Sequence, residues 1–290
     1  MVQIVDSLSE ISDRYDAVFC DLWGCLHDGV TACPEAVEAL RGFRAGGGKV
    51  VLLTNAPRAR ADVARQLIGF KVPDDCWDTI ATSGDSARVA MFRGAIGDKV
   101  WFMGHDFDLT FFDPPAIVTD PVDVKRVALE DATGIACLGP FDTHADPAVN
   151  RPEFLMAKQM GLKLLCANPD IIVDRGEDRE WCAGALAQLY TEMGGESLYF
   201  GKPHPPVYTL ARQRLEQLGA SVPDSRILCI GDGILTDVQG ALGEDLDSLF
   251  ITGGLSRAET NTDRQPEQAA LDAYVVRQKI TPTYAVGYLR

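Results

Sequence analysis

The sequence has neither an excess of basic residues nor a long apolar run. It holds 27 Lys and Arg against 42 Asp and Glu, a formal net charge of −15, which argues against a nucleic-acid partner. No segment approaches the ~20 consecutive apolar residues that span a membrane. Residues 1–16 include four acidic side chains and no continuous apolar core, so they resemble no signal peptide. We therefore expect a cytoplasmic protein that binds neither nucleic acid nor a membrane.

The usual signatures of a zinc site are also missing. None of the eight cysteines forms a Cys-x-x-Cys pair, and none of the four histidines has a second histidine four residues away. Cys20 and Cys229 lie inside apolar strings, where a free thiol acts as a small core residue in a reducing compartment. The sequence thus predicts buried free thiols, and it predicts that any bound metal is held by oxygen.

Short apolar runs alternate with helical periods at both ends of the chain. Strands that are apolar on both faces and separated by helices predict a doubly wound α/β fold with a parallel sheet. With 46% hydrophobic residues, the 290-residue chain is long enough for about two domains. The predicted strands are 17–22, 50–53, 79–82, 226–230 and 248–252, and the predicted helices are 34–44, 58–68, 202–218 and 236–242.

The pattern changes between these two halves to turns rich in Pro and Asp. We interpret residues 85–196 as an inserted α/β domain and residues 1–84 with 197–290 as the core domain. Within the insertion, the apolar pattern predicts strands at 116–118, 134–138 and 163–166. It predicts helices at 123–132 and 181–192.

Four segments place polar side chains where a predicted strand ends or a helix begins. They hold Asp21 after the first strand, Thr54 and Asn55 after the second, Lys202 before a helix, and Asp232 with Asp237 after a late strand. Parallel strands present their carboxyl ends at one edge of the sheet, where such folds bind ligands. Carboxylates, a lysine, a hydroxyl and free backbone N–H groups suit Mg²⁺ and a phosphate group. Arg58 could add a bidentate clamp on that phosphate.

In this order the four segments resemble the motifs of the haloacid dehalogenase (HAD) superfamily. The place of the insertion is similar to that in subclass IIA, which includes 4-nitrophenyl and pyridoxal phosphatases. Asn168-Pro169-Asp170 resembles a signature of that cap domain, and Gly201-Lys202-Pro203 resembles its lysine motif. The resemblance implies a HAD core with an inserted cap and a Mg²⁺-dependent phosphatase of a small phosphorylated metabolite, with a homodimer as the usual state.

The resemblance also implies roles for individual residues. Asp21 matches the nucleophile that forms an aspartyl-phosphate, and Lys202 matches the lysine that neutralises it. Thr54, Asn55, Arg58, Asn168 and Asp170 are the implied phosphate- and substrate-binding residues. The implied metal ligands are Asp21, Asp232 and the backbone carbonyl of Trp23, with Asp237 supporting the metal or its waters.

Trp23 is the large departure from the family pattern. Phosphatases of the family carry at this position an aspartate that protonates the leaving group. Its loss predicts slow turnover of poor leaving groups, unless His27 or Asp28 replaces the acid. The indole either packs the entrance of the site, stacks on a substrate ring or prevents hydrolysis of the phosphoryl-enzyme. Two other functions therefore stay open, a phosphate-binding regulatory protein and a phosphotransferase.

Overall fold

The computed structural model describes residues 1–175 and 178–290. Fourteen strands lie in these residues: β1 Gln3–Ile4, β2 Ala17–Cys20, β3 Lys49–Thr54, β4 Thr79–Thr82, β5 Lys99–Met103, β6 Lys125–Arg126, β7 Gly134–Cys137, β8 Lys163–Cys166, β9 Ile172–Arg175, β10 Asp178–Trp181, β11 Glu196–Tyr199, β12 Ile227–Gly231, β13 Asp247–Ile251 and β14 Tyr284–Val286.

The same described residues form eight α-helices: α1 Pro34–Ala45, α2 Arg60–Gly69, α3 Ser83–Phe92, α4 Arg151–Gln159, α5 Ala183–Glu192, α6 Pro205–Gln217, α7 Gln239–Gly243 and α8 Gln268–Gln278. A π-helical turn, Ile234–Val238, leads directly into α7. None of the helices in the described residues is long and apolar enough to cross a membrane.

The chain divides into two compact units. The core unit comprises Met1–Thr54, Ala64–Ala81 and Lys202–Arg290, and the inserted unit comprises Asn55–Val63 and Thr82–Gly201. Sequence analysis placed the insertion at residues 85–196 and assigned residues 55–63 to the core. These residues belong to the inserted unit because the start of α3 holds their backbone: the Thr82 hydroxyl donates to the Arg58 carbonyl, and the Ser83 hydroxyl donates to the Ala56 carbonyl.

The core unit contains a seven-stranded sheet in the order β1-β14-β13-β12-β2-β3-β4. Neighbouring strands from β1 to β3 are parallel, and every residue of β2 and β12 is buried, as expected for strands covered on both faces. From β2 the chain continues to β3 on one side, and β12 returns on the other. Such a reversal of strand order leaves a crevice at the carboxyl ends of the two central strands.

The inserted unit contains a parallel five-stranded sheet in the order β11-β8-β7-β5-β6 and an antiparallel hairpin, β9–β10. Helices α4 and α5 contribute Phe154 and Leu186 to one apolar cluster on this sheet. Helix α3 contributes Met91 to a second cluster. This unit is therefore an α/β layer structure with its own core.

The five strands predicted for the core lie within two residues of β2, β3, β4, β12 and β13, and the doubly wound α/β fold is confirmed. Two elements predicted for the insertion are wrong. Residues 116–118 form a turn after two prolines, closed by a hydrogen bond from Val118 N to Pro115 O. Residues 123–132 form no α-helix, because Lys125 N and Val127 N instead donate to carbonyls at the edge of β5. Tertiary pairing thus overrides helix propensity there.

Candidate active site

The two central strands of the core sheet bring Asp21 and Asp232 to the same edge. Asp21 follows β2, and its backbone N–H donates to Ile230 O of β12 at 2.8 Å. Asp232 follows the last residue of β12. Both side chains are buried, so the parallel pairing predicted from the sequence does place two carboxylates in one enclosed site.

Lys202 links two of the carboxylates in this site. Its Nζ donates to Asp21 Oδ1 and to Asp237 Oδ1, each at 2.6 Å, and its side chain is only 3% exposed. Burial alone would lower the pKa of Lys202, but the two carboxylates outweigh burial and raise that pKa well above its ordinary value. The ammonium therefore stays charged and partly neutralises the site.

Asp237 lies in the π-helical turn after β12. Its Oδ2 accepts a 3.0 Å hydrogen bond from the backbone N–H of Gly233, while Oδ1 accepts from Lys202. Burial raises the pKa of Asp237 to about 6, although Lys202 acts in the opposite direction. Both oxygens are thus engaged by protein groups, which fits a supporting role more closely than direct metal ligation.

Asp232 is held from the loop that follows β13. The backbone N–H of Leu255 donates to Asp232 Oδ2 at 3.0 Å, and Gly254 packs so closely that a Cβ there would lie 2.0 Å from the same oxygen. Burial, followed by the charges of Asp21 and Asp237, raises the pKa of Asp232 well above its ordinary range. Three buried carboxylates against one lysine leave an unbalanced negative charge, which a divalent cation would relieve.

The described residues contain one group with the geometry of a metal site. A carboxylate oxygen of Asp21, a carboxylate oxygen of Asp232 and Cys25 Sγ all lie within 4.8 Å of one another, and all three residues are buried. The two carboxylates fit the predicted Mg²⁺ ligands. Cys25 adds a sulfur atom to this group, beside the oxygen ligands that the sequence predicts.

The Trp23 side chain packs on its own loop. Its ring lies against Gly29, where a Cβ would come within 2.4 Å of two indole carbons, and Gly29 has a φ of 87°. It also makes an edge-to-face contact with His27, with 5.3 Å between ring centroids. These contacts explain how an indole is accommodated at this position, and they supply no proton donor equivalent to a carboxylic acid.

His27 and Asp28, the two predicted replacement acids, both support the same loop. His27 is buried, its Nδ1 accepts a hydrogen bond from Gly29 N, and burial lowers its pKa to about 4. Asp28 Oδ1 accepts hydrogen bonds from Thr31 N and Val30 N, which lower the pKa of that carboxyl. Near neutral pH neither side chain carries a proton of the kind that a general acid donates.

The predicted phosphate- and substrate-binding residues divide between the units. Thr54 is the buried last residue of β3 in the core unit. Asn55 begins the inserted unit, and its Nδ2 donates to Asp170 Oδ1 at 2.8 Å. The backbone N–H of Asp170 in turn donates to Asn168 Oδ1 at 3.0 Å. Asn55, Asn168 and Asp170 thus form one hydrogen-bonded chain.

Arg58 contacts a different part of the inserted unit. Its Nε lies 3.7 Å from Asp108 Oδ1, and its guanidinium lies 5.3 Å from the centre of the Phe107 ring. Phe107 is largely exposed, whereas burial raises the pKa of the Asp108 carboxyl. The structure therefore shows Arg58 on the 107–108 segment, and the predicted clamp on phosphate stays a prediction.

Sequence reasoning missed two contributions to the site. The sequence predicts Cys25 as a buried thiol, although its position four residues after Asp21 places it in the same loop as the first motif. The backbone N–H of Leu255 lies outside the four motif segments. The glycine pair just before it, at the end of a predicted strand on the same sheet edge, was the available signal.

Two family models match separate parts of the chain. A model described as haloacid dehalogenase-like hydrolase matches residues 18–113, and one described as HAD-hydrolase-like matches residues 199–277. Together they cover more than half of the sequence, including the segments that carry Asp21, Lys202 and Asp232.

Three similar proteins extend over most of the chain. A solved structure of a haloacid dehalogenase-like hydrolase from Brucella suis is 37% identical, covers 99% of this chain and 100% of its own, and superimposes with a TM-score of 0.84. The 5′-nucleotidase YutF of Bacillus subtilis is 23% identical over 86% of this chain and 91% of the relative. The D-glycerol 3-phosphate phosphatase of Mycobacterium tuberculosis is 25% identical over 87% and 67%, respectively.

The matched segments, the full-length similarity at 37% identity and the sheet that brings the motif carboxylates together agree with one another. The chain belongs to the haloacid dehalogenase-like hydrolase family.

Proposed function

We propose that the protein is a Mg²⁺-dependent phosphatase that hydrolyses a small phosphomonoester through an aspartyl-phosphate on Asp21. The observation that carries this proposal is the position of Lys202 Nζ, 2.6 Å from Asp21 Oδ1, beside the buried carboxylates of Asp232 and Asp237. The names of the two curated relatives, a 5′-nucleotidase and a D-glycerol 3-phosphate phosphatase, support a phosphomonoester substrate.

The proposed chemistry begins with the carboxylate of Asp21. One of its oxygens attacks phosphorus, the bond from phosphorus to the alcohol oxygen breaks, and water then cleaves the acyl-phosphate to release inorganic phosphate. Lys202 holds the other oxygen and offsets the repulsion between carboxylate and phosphate. Asp21 and Asp232 would hold Mg²⁺, with the Trp23 carbonyl as a third ligand; a bound Mg²⁺ neutralises phosphate charge.

The leaving alcohol receives little help from this chain. Trp23 offers no carboxylic acid, His27 is an uncharged imidazole, and Asp28 is a carboxylate that accepts hydrogen bonds within the loop. General acid catalysis is typically worth ~10²–10⁴ in rate. We therefore expect good turnover only of substrates whose leaving group has a low pKa.

The inserted unit is proposed to act as the cap of subclass IIA and to select the leaving group. Thr54 is the proposed phosphate-binding hydroxyl. The hydrogen bonds from Asn55 to Asp170 and within Asn168–Asp170 support a role in holding the chain just after Thr54. Arg58 is proposed to bind the phosphate group of the substrate.

Phosphate release from 4-nitrophenyl phosphate tests the proposal. Activity should appear with Mg²⁺, disappear with a chelator, and fall by at least ~10³-fold in Asp21→Asn, which cannot form the acyl-phosphate. Asp245→Asn is the matched control, because Asp245 lies exposed in a turn of the same unit. Activity that survives in Asp21→Asn would refute the covalent route.

The Trp23 packing also keeps the regulatory alternative open. If the indole prevents hydrolysis of the intermediate, one equivalent of phosphoryl group should accumulate on Asp21 with no further phosphate release. A burst followed by arrest would favour that alternative, and steady release favours the phosphatase. Release that depends on an added acceptor alcohol would identify a phosphotransferase.

A further inference from the structure

The Cys25 thiol faces the carboxylates of the metal site. Its Sγ and one oxygen each of Asp21 and Asp232 lie within 4.8 Å of one another, and the residue is 3% exposed. In the part of the chain that the structure describes, no hydrogen bond engages this sulfur, whereas the Cys20 thiol donates to the Asp21 carbonyl and the Cys76 thiol donates to the Pro73 carbonyl. The sulfur is therefore a buried donor atom within 4.8 Å of two carboxylate oxygens.

This donor set differs from the all-oxygen set that Mg²⁺ prefers. A magnesium ion takes oxygen ligands and gains little from a thiol, whereas zinc and cadmium ions bind thiolate strongly. Two carboxylates and one thiolate match the number of protein ligands that a four-coordinate zinc site with one open position uses. On binding, the thiol would lose its proton to solvent and form a metal–sulfur bond, so that one proton is released per ion.

We propose that this site binds thiophilic divalent cations, Zn²⁺ or Cd²⁺, through Cys25 together with Asp21 and Asp232. The inference rests on the same two carboxylates as the proposed function, so such an ion excludes Mg²⁺ and inhibits the Mg²⁺-dependent reaction. The other seven cysteines belong to no comparable group among the described residues. Sensitivity to thiophilic ions is therefore a property of one residue.

Direct binding measurements test this proposal without relying on activity. The purified full chain is titrated with Cd²⁺, and the ultraviolet absorption of the thiolate-to-cadmium charge-transfer band is recorded, with Mg²⁺ as competitor. We expect one Cd²⁺ per chain, loss of Mg²⁺ binding in the Cd²⁺-loaded chain, and Zn²⁺ affinity that falls at least ~10-fold in Cys25→Ser. Mg²⁺ affinity should change much less, because Mg²⁺ does not need the sulfur.

Two further measurements keep the result interpretable. Cys33→Ser is the matched control, because Cys33 is a half-buried cysteine of the same unit outside the metal group, and it should keep the band. X-ray absorption of the Zn²⁺-loaded wild-type chain should show one sulfur at ~2.3 Å, and this holds even if Cys25→Ser fails to fold. Oxygen and nitrogen ligands alone, or a band that persists in a folded Cys25→Ser, would overturn the inference.

The outcomes also separate this inference from the proposed function. If Mg²⁺ binds with Asp21 and Asp232 but Cd²⁺ gives no band, only the cysteine role fails. If neither ion binds, the metal site and the phosphatase proposal both fail. A Cd²⁺ band in a chain that still binds Mg²⁺ with unchanged affinity would place the thiophilic site elsewhere and also overturn the inference.

Discussion

The backbone N–H of Leu255 donates to the carboxylate of Asp232 across 3.0 Å, which ties the loop after β13 to the end of β12. A carboxylate that accepts a hydrogen bond from a fixed backbone group keeps one orientation, so its second oxygen faces a constant position. Gly254 lies so close to the same oxygen that a Cβ there would come within 2.0 Å of it.

Gly254→Ala should displace Asp232. The new Cβ would lie 2.0 Å from Asp232 Oδ2, so the carboxylate or the loop must move. We expect Mg²⁺ affinity, measured by calorimetry, to fall by ~10–100-fold, as for other losses of support around metal ligands. Gly42→Ala in α1 is the control, since a Cβ there meets nothing within 4 Å. Unchanged Mg²⁺ affinity in Gly254→Ala would argue against Asp232 as a ligand.

Asp232→Asn should separate stability from metal binding. Burial, and then the neighbouring carboxylates, raises the pKa of Asp232, so ionisation of this group lowers the stability of the metal-free fold. Removing that charge should raise the melting temperature in chelator by a few degrees and abolish the stabilisation by Mg²⁺. Scanning calorimetry of both proteins with and without Mg²⁺ measures the two effects. A variant that is less stable in chelator would contradict this electrostatic interpretation.

His27 should make folding stability depend on pH. Its pKa is about 4 in the folded protein against 6.5 in a model peptide, because burial disfavours the charged ring. Between these values the unfolded chain binds the proton and the folded chain does not, so stability present above pH 6.5 is lost as pH falls toward 4. The free energy of unfolding falls by roughly 3 kcal/mol over the whole range.

Denaturant unfolding from pH 7.5 to 4 checks the His27 contribution. His27→Gln should make the free energy of unfolding depend less on pH over this window. His144→Gln, which changes an exposed histidine, should leave that dependence unchanged. If the free energy of unfolding depends on pH equally in wild type and in His27→Gln, then protonation of the His27 ring does not destabilise the fold.

Trp23→Asp should restore acid catalysis. The rate of the wild-type enzyme should depend steeply on the pKa of the leaving group, because an unassisted alkoxide carries its full developing charge. The variant should gain up to ~10² in kcat/KM with alkyl phosphates and little with 4-nitrophenyl phosphate. Single-turnover kinetics over a series of leaving groups measures how the rate depends on leaving-group pKa in the wild type and in the variant. If the wild type already hydrolyses alkyl and aryl phosphates equally, with chemistry limiting, another group supplies the proton.

Removing the indole without adding a carboxylate is the control for that experiment. Trp23→Phe keeps an aromatic ring against Gly29 and should leave the leaving-group dependence steep. If Trp23→Phe gains alkyl phosphate turnover as much as Trp23→Asp, then the effect is steric, and acid catalysis is not its cause.

The strands β2, β3 and β12 and the polar residues that follow them could be predicted from the sequence alone. A strand that is buried on both faces consists of a continuous apolar run, and the residue after its end is identified from its immediate neighbours. The family followed from the same local motifs and their order. The placement of an insertion between them also follows from composition, since turn-rich segments interrupt the periodic pattern.

Tertiary structure decided which of these groups meet. The 2.6 Å contact of Lys202 with Asp21 joins residues that are 181 positions apart, so no local pattern encodes it. The contact of Arg58 with Asp108 and the approach of Cys25 to Asp232 likewise depend on how loops fold back, which no local period encodes. Residues 123–132 show the same limit, since hydrogen bonding to the edge of β5 outweighed a helical pattern.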